Sequence, residues 1–196
     1  TNVRVKQISY EVGPMLPSTQ TRPDTFSQTA TTLEYDFLVI GYGNKLCGDD
    51  SVGPWVAMVV ADWNLPAVRS LAVNQLTPNL TDELAKTNYV MFVDACGRKT
   101  IQTVQIDPLV VCDQQPASMA FAAHSYDPLA LLNLTQRLYK RHPQAWLLQI
   151  PVESCDLGNK LSSKAHQGCD RALRAIERFL VTYRQPQLHG VSYMGP

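Results

Sequence analysis

The sequence predicts an α/β protein, a three-layer α/β/α sandwich around a mostly parallel, twisted sheet. Short apolar runs that end at a glycine or a polar residue recur along the chain, as expected for strands buried on both faces. Segments in which apolar residues have helical spacing separate these runs. Strands that alternate with helices in this way form a sheet whose strands are mostly parallel.

Four apolar segments are predicted as strands, at residues 37–40, 67–73, 89–93 and 146–150. The strand at 89–93 is predicted to stop at Asp94. A weaker segment at 101–111 contains Pro108, which argues against a place in the middle of the sheet.

Helices are predicted between these strands from capping signals and apolar spacing. One helix covers residues 54–63, and a second begins at the N-cap pair Thr77-Pro78 and ends near residue 86. A third, rich in leucine, starts at Asp127-Pro128, and a long amphipathic helix covers 165–183.

The chain divides by composition into three parts. Residues 1–33 contain several prolines and Ser/Thr/Gln runs that cannot form a continuous apolar face, so we expect an extended or partly disordered N-terminal arm, with a short strand possible at 3–10. Residues 34–185 form the predicted α/β domain, and residues 186–196 form a C-terminal tail.

Charge and hydropathy exclude several classes of function. The 196 residues include 17 Lys+Arg and 17 Asp+Glu, so there is no basic excess of the kind that nucleic-acid or anionic-membrane binders carry. The longest apolar stretch, at 52–61, is too short to span a membrane, and no secretory signal is visible. Five cysteines without a CxxC pair are interpreted as reduced thiols. We therefore expect a soluble, cytoplasmic protein.

Polar residues that could carry chemistry follow the predicted strands. The loop from Gly41 to Asp50 follows the first strand, Asp94 follows the third, and His124 precedes a helix. Ligands of parallel sheets bind at the carboxyl ends of the strands, where carboxylates and an imidazole could hold a transition metal. Each residue also has an ordinary structural interpretation: Asp49 or Asp50 could cap the following helix, Asp94 could be a turn residue, and His124 could be a surface or capping residue.

Two other chemistries have weaker support. Gly41-x-Gly43 resembles the start of a dinucleotide fingerprint, but Leu46 occupies the third glycine position and two acids end the loop. Cys47 could act as a nucleophile activated by His124, but no cysteine-protease signature surrounds it.

Residues 37–53, FLVIGYGNKLCGDDSVG, resemble the N-terminal signature of the [NiFe]-hydrogenase maturation endopeptidases, an apolar strand followed by GxGNxLxxDDxxG. The resemblance continues at Phe92-Val93-Asp94-Ala95, at His124 with its following leucine-rich helix, and at the closing strand, Ile150-Pro151-Val152-Glu153-Ser154. It covers roughly residues 35–183, and Ser51 departs from it by replacing a glycine.

This resemblance implies an activity, a partner and a site. Such proteases remove a C-terminal extension from the hydrogenase large-subunit precursor after nickel has been inserted. The nickel then arrives with the substrate, and no tightly bound resident cofactor is expected. By motif position Asp50, Asp94 and His124 correspond to the metal-contacting, catalytic trio. Gly43, Asn44, Asn74 and Gln75 are the implied substrate-binding residues.

The stretch Asn74-Gln75-Leu76 resembles the His-Gln-Leu of proteases for bidirectional, NAD(P)-linked hydrogenases, with Asn in place of His. Two rival functions remain open at this point. A non-enzymatic nickel-sensing assembly chaperone could use the same three ligands, and an autonomous metallohydrolase would need a resident metal. The chain lacks the HExxH pair expected of such a hydrolase.

Overall fold

The computed structural model describes residues 33–98, 100–111, 126–153 and 160–184. Within these residues, strands and helices alternate except where two strands follow one another at 87–109, and a short 3-10 helix lies at Gly48–Ser51. In chain order the elements are β1 Tyr35–Tyr42, α1 Val52–Asp62, β2 Val68–Val73, α2 Leu80–Ala85, β3 Thr87–Cys96, β4 Gln105–Leu109, α3 Pro128–Tyr139, β5 Gln144–Pro151 and α4 Ser163–Arg184.

The strands form one five-stranded sheet in the order β2-β1-β3-β5-β4. All neighbouring strands are parallel except β4, which pairs antiparallel with β5 at the edge. The predicted mostly parallel α/β sheet is thus confirmed. Pro108 lies in β4, where an edge strand tolerates a residue that cannot donate to the ladder.

Two hydrophobic cores cover the two faces of the sheet, as the three-layer prediction requires. Alternate residues of each strand point to opposite faces. In β1, for example, Phe37 and Val39 pack with α1 and α4, whereas Leu38 and Ile40 pack with α2 and α3. The chain therefore leaves β1 over one face and returns to β3 over the other, which opens a crevice at the carboxyl ends of β1 and β3.

The structure corrects two predicted boundaries. Strand β3 continues to Cys96, so Asp94 lies inside the strand and not after it, because the pairing with β5 extends to Cys96 opposite Pro151. Helix α2 begins at Leu80, and Thr77 is not its N-cap. Thr77 and Pro78 instead form a tight turn, in which their carbonyl groups accept the N–H groups of Leu80 and Thr81.

The capping signal at Asp127-Pro128 is confirmed. The Asp127 side chain accepts a hydrogen bond of 2.7 Å from the N–H of Ala130, and Pro128 occupies the first helical position.

We expect Asp127→Ala to lower the free energy of unfolding by about 1 kcal/mol, the usual value of an N-cap bond. Asn79→Ala is the matched control, because Asn79 is the N-cap of α2 but makes no side-chain capping bond. Urea denaturation of both variants measures the difference. Equal losses would show that the Asp127 bond does not stabilise α3.

Several sequence-based predictions fall outside the described residues. They include the possible strand at 3–10, almost all of the predicted arm at 1–33, and the tail at 186–196. The division into an arm, a domain and a tail therefore stays a prediction. The described cysteines, Cys47, Cys96 and Cys169, carry free thiols. Among the described helices, none combines the length and apolar character needed to cross a bilayer.

Candidate functional site

The candidate site lies at the crevice where β1 and β3 end. Gly41 of β1 is opposite Val93 of β3, so the next residues, Tyr42 and Asp94, are neighbours across the two strands. The first turn of α1 lies directly over these strand ends. A side chain at Gly53 would overlap the carbonyl oxygens of Tyr42 and Val93, so only glycine allows this approach. The close packing brings the turn that carries Asp50 to the end of β3.

The loop after β1 is held by hydrogen bonds among its own residues. The N–H of Asn44 donates to Oδ2 of Asp50 at 2.7 Å, and the side-chain oxygen of Asn44 accepts from the N–H of Leu46 at 3.0 Å. Gly43 has a φ of +141° and lies against the carbonyl oxygen of Asp50, where a side chain would collide. The loop thus fixes the Asp50 carboxylate. The N–H groups of Asn44 and Leu46 are already used, which argues against a phosphate-binding loop.

Asp94 is half-buried and electrostatically coupled to Asp50. Burial raises the pKa of Asp94 to about 6, and the negative charge of Asp50 adds to this rise. Hydrogen bonds from the Tyr42 hydroxyl and the Ala95 N–H act in the opposite direction and lower the pKa of Asp94. The structure therefore brings together two of the three predicted metal-contacting residues, Asp50 and Asp94. The third, His124, lies outside the described residues.

Asp49 serves a different purpose from its neighbour. Its side chain is 1% exposed and points away from the crevice toward the end of β5 and the start of α4. The carboxylate accepts the N–H groups of Glu153 at 3.0 Å and Ser162 at 2.6 Å, and the Ser162 hydroxyl at 2.8 Å. The N-cap positions of the 3-10 helix and of α1 are occupied by Cys47 and Ser51, so the sequence interpretation of Asp49 as the cap of the following helix is wrong. The carboxylate is instead used in long-range contacts.

The implied substrate-binding residues lie along the same edge of the sheet. Asn74 and Gln75 follow β2 directly and are exposed, as is Asn44, and Gly43 is half-buried. Val73 at the end of β2 is opposite Tyr42 at the end of β1. The exposed polar groups therefore flank the crevice and are accessible from solvent.

The described residues do not by themselves form a metal site. In the ranges that the structure covers, no group of three His, Cys, Asp or Glu side chains is placed to hold a metal ion. Cys47 is half-buried in the loop, and its predicted activator, His124, is among the residues left undescribed. The nucleophilic-cysteine alternative thus stays untested.

Tyr42 was missed by the sequence analysis, and the role of Asp49 was misassigned. Tyr42 occupies a variable position of the glycine loop, and burial together with the charges of Asp94 and Asp127 raises the pKa of its hydroxyl, which stays protonated as a donor. Asp49 was noticed only as a cap. The alternation of side chains along β1 and β3 could have placed Tyr42 beside Asp94, but only once the register of the two strands was known.

No protein-family model matches the sequence, and no curated protein matches it. Solved structures do match in fold. The hydrogenase maturating endopeptidase HybD from E. coli superposes with a TM-score of 0.59 at 19% identity, over 76% of this chain and 94% of that one. A hydrogenase 2 maturation peptidase from a Thaumarchaeota archaeon gives a TM-score of 0.58 at 22% identity, over 74% and 98% of the two chains.

The chain has the fold of the hydrogenase maturation proteases. A third match, the [NiFe] hydrogenase maturation protease HybD from Thermococcus kodakarensis, has a TM-score of 0.57 at 18% identity and covers 74% of this chain and 98% of that one. The maturation-protease fold thus corresponds to the described sheet and helices, and nearly the whole length of each of these proteins is matched.

Proposed function

We propose that the protein is an endopeptidase that removes the C-terminal extension of a [NiFe]-hydrogenase large-subunit precursor after nickel insertion. The observation that carries this proposal is the pair of carboxylates, Asp50 and Asp94, which lie at the crevice of a maturation-protease fold. The two carboxylates are electrostatically coupled, and each has a defined hydrogen-bond partner. Such an arrangement suits a cation that arrives with the substrate, because it would relieve the repulsion between the acids.

In the proposed reaction the nickel belongs to the substrate. Asp50, Asp94 and His124 contact it and thereby place the scissile peptide bond in the crevice. The metal can polarise the carbonyl group or a bound water, and a carboxylate of the trio can accept the proton of the attacking water. Hydrolysis adds this water across the peptide bond and releases the C-terminal extension.

The substrate is a polypeptide, and the edge of the site is suited to one. Asn44, Asn74 and Gln75 present exposed side-chain amides, which can donate to and accept from peptide groups. We assign them, with Gly43, to substrate binding. Because Asn74-Gln75-Leu76 resembles His-Gln-Leu, we further propose a bidirectional-type hydrogenase as the source of the precursor.

The proposal is tested by incubating the purified protein with nickel-loaded and nickel-free precursor. We expect the nickel-loaded large subunit to be shortened, as seen by mass spectrometry, and the nickel-free form to stay intact. Equal cleavage of both forms would remove the nickel requirement. A stable complex with a precursor of unchanged length would instead favour the non-enzymatic assembly chaperone.

His124 completes the test of the site. We expect His124→Ala to slow processing at least about 100-fold, since one of three metal contacts and a group that can transfer protons would be lost. His142 provides the control: it lies between α3 and β5, where its Nδ1 is 2.8 Å from the carbonyl oxygen of Pro143. His142→Ala should process the precursor at the wild-type rate. Full activity of His124→Ala would exclude His124 from the site.

A further inference from the structure

We propose that Tyr42 is a positioning residue for the proposed cleavage, because its hydroxyl group holds the Asp94 carboxylate in one orientation in the crevice. The inference rests on the proposed function and assigns a role to a residue that no sequence motif marked. Tyr42 occupies an unspecified position between the two glycines of the loop motif.

The backbone places the two side chains together. Tyr42 is the last residue of β1, and Asp94 lies on the adjacent parallel strand β3, one residue beyond the paired Gly41 and Val93. Tyr42 lies two residues after Ile40, and Asp94 lies two residues after Phe92, so each side chain points to the same face as its predecessor. The side chains of Ile40 and Phe92 face the core beneath α2 and α3. The two side chains therefore leave the sheet on the same face, and the Tyr42 hydroxyl donates a hydrogen bond to the Asp94 carboxylate.

Packing determines where the hydroxyl group lies. The Tyr42 ring packs against the core formed by the strands with α2 and α3. A phenol ring has only two rotatable side-chain bonds, so this packing fixes the position of its oxygen at small entropic cost. The hydrogen bond can therefore orient the Asp94 carboxylate.

Two carboxylates lie near the Tyr42 hydroxyl, and it donates its hydrogen bond to one of them, Asp94. Asp127, at the start of α3, also lies near Tyr42. The carboxylate of Asp127 is already engaged with the N–H of Ala130. The hydrogen bond of the Tyr42 hydroxyl is to Asp94, whereas Asp127 acts on Tyr42 only through its charge. This bond and the one from the Ala95 N–H together hold the Asp94 carboxylate at the crevice.

The same strand provides a matched control at its other end. Tyr35, the first residue of β1, donates through its hydroxyl to Oε2 of Glu83 at 2.6 Å. It therefore loses the same kind of interaction, a tyrosine–carboxylate hydrogen bond, when it is replaced by phenylalanine. Because Tyr35 lies at the amino end of β1, its replacement leaves the crevice unchanged.

The experiment compares steady-state cleavage of nickel-loaded precursor by the wild-type protein, Tyr42→Phe and Tyr35→Phe. We expect Tyr42→Phe to lower kcat about 10- to 100-fold, the order of loss that misplacement of a reacting group causes, with KM within about twofold of wild type. Tyr35→Phe should keep kcat within about twofold. Melting temperatures should fall in both variants, since each loses a tyrosine–carboxylate hydrogen bond, and Tyr35→Phe also loses the bond from its hydroxyl to the Glu83 carbonyl oxygen.

A kcat of Tyr42→Phe equal to that of Tyr35→Phe would overturn the inference, and so would a loss confined to KM. Tyr42→Leu is the second variant, in which wild-type kcat would have the same meaning. If the wild-type protein leaves the nickel-loaded precursor intact, the proposed function itself fails and this inference with it. Cleavage by the wild-type protein together with normal cleavage by Tyr42→Phe overturns only the role of Tyr42.

Discussion

Replacing Asp94 with asparagine should stabilise the protein above about pH 6 and, at the same time, end processing of the precursor. The native pKa of Asp94 is raised from 3.8 to about 6, so the folded state binds its proton more tightly than the unfolded state does. Below about pH 4 the carboxyl group of Asp94 is protonated in both states, so it does not destabilise the folded protein. The folded protein loses stability as the pH rises from about 4 to about 6, and the loss is complete above that range.

Asparagine is uncharged throughout this pH range, so Asp94→Asn removes the loss of stability that ionisation of Asp94 causes. It also keeps a side-chain oxygen that can accept the hydrogen bond from Tyr42. The rise of the Asp94 pKa from 3.8 to about 6 corresponds to at most about 3 kcal/mol of stability, and partial access of water to Asp94 reduces this gain. We expect Asp94→Asn to raise the melting temperature by a few degrees at pH 8 and to match the wild type at pH 4.

Processing should respond in the opposite direction. An amide cannot act as an anionic metal contact or as a general base, so we expect at least a 100-fold slower cleavage, roughly the contribution of such a group. Thermal melts of the metal-free protein at pH 4 and pH 8 measure the change in stability, and mass spectrometry of the nickel-loaded precursor measures the change in cleavage.

Asp107→Asn is the matched control for Asp94→Asn, since Asp107 is an exposed aspartate on the edge strand β4. It should change neither the pH dependence of melting nor the rate of processing. A melting temperature of Asp94→Asn that follows the wild type at every pH would contradict the burial of an ionised carboxylate. Wild-type processing by Asp94→Asn would exclude Asp94 from the site.

The opposite expected effects on stability and cleavage have a physical basis. A half-buried carboxylate beside a second acid is unfavourable for folding, and such groups persist mainly where function requires them. The rest of the site is arranged to tolerate this charge. The Tyr42 hydroxyl and the Ala95 N–H both stabilise the ionised form of Asp94, and the Asn44 N–H bonds to the other acid, Asp50. In the proposed function, the nickel ion of the substrate binds both carboxylates and compensates their remaining negative charge.

The sequence was sufficient for the fold because its strands are short apolar runs buried on both faces. Such runs predicted β1, β2, β3 and β5, and helical spacing with capping residues predicted the helices between them. The boundary at Asp94 could not be predicted in this way. Whether a polar residue continues a strand depends on its neighbour, and here the partner is Gln149, more than fifty residues later in the chain.

The candidate site could be predicted only in part, because it too depends on contacts between residues far apart in the sequence. Two adjacent acids, Asp49 and Asp50, look equivalent in the sequence, and both could have capped a helix. The fold separates them, because the 3-10 turn directs Asp50 to the glycine loop and Asp49 into the interior. The partners of Asp49 are 104 and 113 residues away, a separation at which no local pattern can identify them.

Asp49→Ala should cause the largest loss of stability of the variants considered. The substitution removes three hydrogen bonds to a buried carboxylate and leaves the N–H groups of Glu153 and Ser162 without this acceptor. Hydrogen bonds to a charged group are worth about 1.5–3 kcal/mol each, and partial access of water to the donors recovers some of this. We therefore expect the free energy of unfolding to fall by about 2–4 kcal/mol, measured by urea denaturation.

Two further variants separate the contribution of this carboxylate from a general effect of losing an acid. Asp62→Ala replaces an exposed aspartate at the end of α1 and should change stability by less than about 0.5 kcal/mol. Ser162→Ala removes the hydroxyl bond to Asp49 and the 3.1 Å bond to the N–H of Ala165, so an intermediate loss is expected. Equal stabilities of Asp49→Ala and Asp62→Ala would show that the long-range contacts of Asp49 do not stabilise the fold. Since Asp49 joins the turn that carries Asp50 to β5 and α4, its loss should also slow processing, although Asp49 does not face the crevice.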